Sequence, residues 1–363
     1  MTDFQSEDIP EAIGFDERKD KTKVVVGAGI KGRKRFEMKK EEHCAVVIYP
    51  GEQFAGHVVP EDGTGAGLAR DLHGFLVERR INMDNVKHLV SDGCEKMVGW
   101  KTGTHVSMER IYQRPFGRII CFFHHLEKSF EVILVLYTGH STSPGTYAYG
   151  VGKEVKVEVH KLPLKDFEVL PNASLLKLIE GISEDTFRNF SNDHKIFIGL
   201  IKIVITGKVD EQWIHMKIGP VVMSRFTTTQ VRCIRKWLSE DTPSFELRRV
   251  VNYLVYVWAE VFLMAKHRNS FVEAPRLLLL EVMLTKKHCS APEQALLQTS
   301  LSTNGQMAHH ESVLLAMLAS PHCEERRRAV EIIFRIREEG PKAWGNFGGI
   351  KPFKVVNNLY ILA

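Results

Sequence analysis

The feature that most limits what this chain can fold into is a change of period along it. Short β-branched runs crowd the first third, and helical periodicity takes over from Ala173. AIGFD, TKVVVGAG, EEHCAVVIYPG and QFAGHVVPEDGTG are apolar runs that end in turn signals, and three strands are expected from them. Leu68, Leu72, Phe75 and Leu76 then fall at i, i+4, i+7 and i+8, one face of an amphipathic helix. VKHLVSDG is a short apolar run stopping at an acidic-glycine turn, VSMERIYQRP reads as a helix up to Pro115, and GRIICFFHHLEKSFEVILVLY begins as a strand and ends as a helix. The order predicts a mixed α/β sheet flanked by helices, with parallel neighbours produced by two crossover connections. Residues 138–172 change character. TGHSTSPGTYAYGVGK is rich in Gly, Ser and Thr, and the segment reads as a junction. Beyond it VVNYLVYVWAEVFLMAKH, RLLLLEVMLTKK, ESVLLAMLAS and RRRAVEIIFRIREE are apolar-periodic helical stretches, the last stopped by Gly340 and Pro341.

A chain of 363 residues with 44% hydrophobic and 26% charged residues has the composition of a folded globular protein. No apolar run approaches the ~20 residues that cross a bilayer, and the acidic start lacks a signal-peptide core, so an intracellular protein without a membrane partner is expected. Six cysteines without a CxxC pair argue against a disulfide framework and against a zinc ribbon. The net charge of +5 is unevenly placed: residues 17–40 hold ten Lys or Arg against Glu17, Asp20 and Glu37. Within that segment Lys31, Arg33, Lys34 and Arg35 are the candidate nucleic-acid contacts, with a solvated hairpin or loop as the alternative.

Two local patterns carry chemistry. In VVVGAGIKG, Gly27, Gly29 and Gly32 fit the dinucleotide fingerprint G-x-G-x-x-G, and Glu52 lies where a ribose-binding acid would sit. The following RKRFEMKKEEH, however, offers only Phe36 and Met38 to bury against a sheet, so this reading is a minor one. The block from Ser91 to Phe130 joins Asp92, in the turn that ends a strand, to a helix carrying Glu109 and to Cys121-x-x-His124 one strand further on. An aspartate in such a turn is also an ordinary cap. Two ligands alone rarely make a zinc site, and a buried cysteine with a satisfied histidine is the expected role of Cys121 and His124. Trp258, on a long apolar helix, is expected in the core and not as a base-stacking platform.

This block, with its DG turn, Glu109 helix, Arg-Pro, apolar strand and Cys-x-x-His, resembles hAT transposases and, more closely, transposon-derived arthropod proteins. FDERKDKT, EEHCAVVIYPGEQFAGHVVPEDGTG, HHESVLLAMLAS and NFGGIKPFKVVNNLY extend the likeness along most of the chain. The resemblance implies an RNase H-like mixed sheet in residues 1–137, a junction at 138–172, a largely α-helical insertion at 173–300 and C-terminal helices at 301–363 that return to the core. It also implies three metal-ligating acids, the first ending strand one, the second ending strand four and the third on a late helix. Asp16 and Asp92, 76 residues apart, match the first two. Glu311 is the candidate third, with Glu324 and Glu325 as rivals, and the family's Ser-Glu-Arg pattern beside Phe-Ser is missing here.

The implied chemistry is DNA cleavage and strand transfer with Mg²⁺ or Mn²⁺ held by hard carboxylate oxygens. DNA is then the expected partner, a homo-oligomer is allowed, and a nuclear location follows. A relative that has lost catalysis and serves as a DNA-binding or protein-interaction module, with no cofactor, is the alternative expectation.

Overall fold

The computed structural model describes residues 10–302, apart from 29–33, 50–52, 100, 115, 140–146, 148, 222–225 and 268–269, together with Cys323, Arg326, Arg327 and Val330. The described residues form two compact units that divide between His124 and His125.

The first unit is built on a five-stranded sheet. Strand β1 (Ala12–Ala28) is followed by β2 (Lys34–Tyr49) and β3 (Gln53–Val58), an antiparallel meander. Helix α1 (Gly65–Glu78) leads to β4 (His88–Ser91), the short α2 (Glu95–Val98) and α3 (Thr104–Tyr112) lead to β5 (Gly117–Ile120), and α4 (Phe122–Thr138) follows. The strand order is β3-β2-β1-β4-β5, with β4 parallel to β1 and β5 parallel to β4. Both parallel steps cross over through helices, as the sequence order requires.

One expectation is corrected here. AIGFD and TKVVVGAG, two runs in the sequence that each end in turn signals, form one strand, because β1 passes through both and through the charged DERKD between them, paired with β2 from Ala12↔Tyr49 to Ala28↔Lys34. The charged residues continue the strand since, beyond Asp16, alternate side chains emerge on two faces that are largely open to solvent, and neither face demands apolar residues.

On the side of the sheet where Ile13, Phe15, Cys44, Val46, Ile48 and Leu89 point, α1 supplies Leu68, Leu72 and Leu76, all fully buried, with Phe75 partly buried beside them. Met108 of α3 and Phe116 close the same core. Thr64 caps α1 by accepting the Gly67 N–H at 2.9 Å. Gly65 permits the first turn of α1 to press against the chain between α2 and α3, where a Cβ would collide with the backbone carbonyls of Lys96 and Thr102.

The second unit is helical. Its further elements are α5 (Val151–Glu154), a 3-10 turn at Val159–Lys161, α6 (Ala173–Glu180), α7 (Glu184–Asn189), α8 (Asn192–Thr206), α9 (Glu211–Ile214), α10 (Phe226–Trp237), α11 (Phe245–Tyr253), a π-turn at Leu254–Trp258, α12 (Ala259–His267), α13 (Ser270–His288) and α14 (Ala291–Ser302). Buried Arg232 of α10 donates to the carbonyls of Val155, Val157 and Gly219 at 2.8–3.0 Å and so ties the segment after α5 to the bundle. Trp258 is buried, stacks on Phe262 at 4.7 Å and donates its indole N–H to Leu126 O at 2.9 Å, so its face is not open to a base. A buried His125–Glu281 pair at 2.7 Å lies between α4 and α13. Among the described residues no helix is long and apolar enough to cross a membrane.

The α1 stripe is the main apolar cover on its side of the sheet. Leu72→Ala, which deletes a fully buried side chain, is expected to destabilise the protein by about 2–5 kcal/mol in urea denaturation.

Candidate functional site

Register decides where the two aspartates stand. The β1–β4 ladder pairs Ala12 with His88, Ile13 with Leu89 and Gly14 with Val90, a constant offset of 76 residues. Carried two residues past the last pair of the ladder, the same offset makes Asp16 level with Asp92, and the charge of Asp92 acts on the Asp16 carboxyl. Asp16 therefore lies within β1 and not at its end, at the point where β1 runs past the last residues of β4. Asp92 follows the final residue of β4 directly. The β4–β5 ladder has an offset of 29, and the Cys121 N–H donates to Ser91 O at 2.7 Å, so Cys121 falls in the same row beyond Asp92. His124 follows one helical turn later, on α4.

Asp16 alternates with Phe15 and Glu17, so it emerges on the side of the sheet opposite the α1–α3 core. The residue is exposed, yet its carboxyl is held above the ordinary value of 3.8. Partial desolvation is the largest cause; the charge of His124 lowers it, and the charge of Asp92 raises it again. Asp16, Asp92 and His124 are thus close enough to feel one another. The Asp92 carboxylate accepts the Cys94 N–H at 3.2 Å, an Asx turn that orients it. The Cys94 thiol is pushed up to about 11, first by burial and then by Asp92, so it is not a reactive thiolate.

Beneath the row, the other side of the sheet holds it in place. The Ser91 hydroxyl donates to Asp92 O at 2.8 Å and lies 2.9 Å from Nε2 of the fully buried His105. Lys96, on α2 just past Asp92, donates to Glu17 at 2.6 Å and to Glu42 at 3.4 Å. Burial opposes the Lys96 charge, but the Glu17 hydrogen bond and the two carboxylates outweigh it and raise its pKa. Lys96 therefore fastens the Asp92 loop to β1 at the residue next to Asp16. Sequence reasoning did not find this network, because Glu17 and Lys96 are 79 residues apart and no local spacing marks them.

Other candidates separate from this row. Gly27 sits in β1 beside a bulge with φ +154°, and the next element is strand β2. The helix whose N-terminus would meet a dinucleotide's pyrophosphate does not follow these glycines, so Gly27 belongs to a hairpin strand. Gly29, Gly32 and Glu52 lie outside the described residues, as do Lys31, Arg33, Glu311, Glu324 and Glu325. Lys34 and Arg35 begin β2, and their side chains lie outside the description. Glu109 accepts the Phe116 N–H at 3.2 Å and so braces the chain entering β5. Among the described residues no group of three or more His, Cys, Asp or Glu side chains is arranged to hold a metal ion. No protein-family model, no curated protein and no solved structure matches this chain.

The raised Asp16 carboxyl carries a sign that can be measured. In the window above pH 3.8 the folded chain keeps a proton that the unfolded chain has lost, so stability falls as pH rises through it. Asp16→Asn removes that fall. The variant is expected to match the parent below pH 3.8 and to be the more stable at neutral pH in paired urea titrations. Lys96→Met leaves Glu17 and Glu42 without their shared cation and is expected to cost about 1–2 kcal/mol at neutral pH, after discounting for solvent screening.

Proposed function

We propose that this chain is a transposase-derived protein whose first unit is an RNase H-like core, resembling that of hAT transposases, with Asp16 and Asp92 as the ancestral metal ligands for DNA cleavage and strand transfer. The observation that carries the reading is the shared offset of 76 residues. Continued two residues past the ladder, that offset makes Asp16 level with Asp92, two acids far apart in sequence, in a β3-β2-β1-β4-β5 sheet, and the Asp92 charge acts on Asp16. The antiparallel meander followed by two parallel strands supports the same reading, and so does the placing of Cys121 and His124 in the neighbourhood of the acids.

The donor chemistry fits a hard divalent cation in part. Two carboxylates, one of them raised first by desolvation and further by the other's charge, are what such a cation would relieve. Asp16 and Asp92 would hold it, with Lys96 and Ser91 fixing the backbone that presents them. A pair of Mg²⁺ or Mn²⁺ ions would stabilise attacking and leaving oxygens of an in-line phosphodiester displacement. Glu311 remains the proposed third ligand.

A second reading has its own support. The sequence lacks the Ser-Glu-Arg pattern beside Phe-Ser that the resemblance leads one to expect around the third acid, which favours a domesticated module that keeps the fold and binds DNA or protein without catalysis.

Nicking of supercoiled plasmid separates the two. An active enzyme nicks with Mg²⁺ or Mn²⁺, and Asp16→Asn or Asp92→Asn reduces the rate by about 100-fold or more, the equivalent of about 3 kcal/mol. Absence of nicking with both metals ends the active version. A rise in melting temperature with Mn²⁺ that disappears in Asp16→Asn reports the metal site without relying on activity.

A further inference from the structure

Beyond Glu17↔Cys44, β1 and β2 are paired only with each other among the described residues, because β4 leaves β1 after Gly14 and β3 pairs β2 only from Cys44 to Ile48. The remaining ladder, Arg18↔His43 to Ala28↔Lys34, is a two-stranded ribbon whose β1 side spans roughly 35 Å at about 3.3 Å per residue. Most of it is open to solvent, including Lys19, Lys21, Lys23 and Val25 on β1 and the whole stretch Phe36–Lys40 on β2.

The two faces of this ribbon differ in charge. One face continues the row of Asp16 and carries Arg18, Asp20, Lys39 and Glu41, in which Arg18 pairs with Asp20 at 2.8 Å and Lys39 with Glu41 at 3.6 Å. With Glu37 opposite Val24 on the same side, that face holds no excess of positive charge. The other continues the row of Phe15 and Glu17, and at its base Lys19 bonds Glu42 at 2.9 Å. Farther out it carries Lys21 directly opposite Lys40, then Lys23 opposite Met38 and Val25 opposite Phe36, with no acid among them. Like charges set directly across a strand pair destabilise it. Lys23 lies 4.4 Å from the centroid of the Phe36 ring, and Phe36 and Met38 remain 46% and 62% exposed.

We propose that this face of the ribbon is a docking surface for duplex DNA, contacted through Lys21, Lys23 and Lys40 on phosphates with Phe36 and Met38 between them. The proposal rests on the reading of DNA as the partner and adds to it the element and the face that make the contact. Three cations without acidic partners among the described residues, one pair of them in mutual repulsion, are what a polyanion would compensate. Lys19, Lys21 and Lys23 recur every two residues, about 6.6 Å, close to the rise of about 6.8 Å for two nucleotides along one strand. The ribbon is about one helical turn of B-DNA long, and the major groove admits a two-stranded ribbon. Lysines also discourage strands from pairing edge to edge, but that use does not require gathering them on one face.

The test is the salt dependence of binding of a labelled 30-base-pair duplex to the full chain in EDTA, where nicking plays no part. The variant Lys21→Gln/Lys23→Gln/Lys40→Gln is expected to lower the slope of log K against log salt by about 2.7, at 0.9 per phosphate contact. Arg18→Gln/Lys39→Gln, on the neutralised face, is expected to leave the slope unaltered, and Lys→Arg at the same three positions to restore it. An unaltered slope in the triple Gln variant overturns the proposal, as does an equal loss per charge from both faces. So does tighter binding of the parent to phosphatidylserine vesicles than to the duplex. Because no metal is present, these outcomes bear on the ribbon alone, and loss of nicking in Asp16→Asn or Asp92→Asn bears on the catalytic reading alone.

Discussion

The first unit depends on a short parallel ladder. Only three pairs, Ala12↔His88 to Gly14↔Val90, join the N-terminal meander to β4, yet everything that follows at the sheet edge inherits its register from them. A slip of one residue would turn every β4 side chain to the opposite face. Leu89 would leave the core, Ser91 would leave His105, and Asp92 would no longer share a side with Asp16. The burial of Ile13 and Leu89 on one face resists that slip, so the apolar core fixes the position of polar groups that it does not touch.

The same strand serves two purposes along its length. Its first residues are buried on both faces, and its middle and outer parts belong to an exposed ribbon. Asp16 and Glu17 stand at the boundary and point to opposite sides. Glu17 is drawn into a half-buried network with Lys96 and Glu42, while Asp16 is left near Asp92 and His124. Charges on one side of the sheet thus anchor the loop whose charge acts on the other side.

Much of the architecture was legible in the sequence because it rests on periodicity. The Leu68–Leu72–Leu76 stripe, the helix before Pro115 and the passage from strand to helix in GRIICFFHHLEKSF all follow from local spacing, and local spacing survives in the fold. The continuation of β1 through DERKD was not legible in the sequence. A charged segment looks like a turn when considered alone, and it becomes strand only because β2 supplies a complete ladder of hydrogen bonds along it. The Lys96–Glu17 bond and the His125–Glu281 pair were invisible for a related reason: each joins residues that nothing but the folded chain brings together.

The sequence alone determined the order of elements, the need for crossover connections and the identity of the acids that could lie at strand ends. It also located the excess of positive charge near the N-terminus. Tertiary structure decided the β1–β4 register, in whose continuation Asp16 is level with Asp92, and it decided how the basic segment divides into one neutralised face and one cationic face. The reason is that side-chain period is a property of the chain, whereas cross-strand partnership is a property of two segments whose relative alignment is chosen by the core they bury.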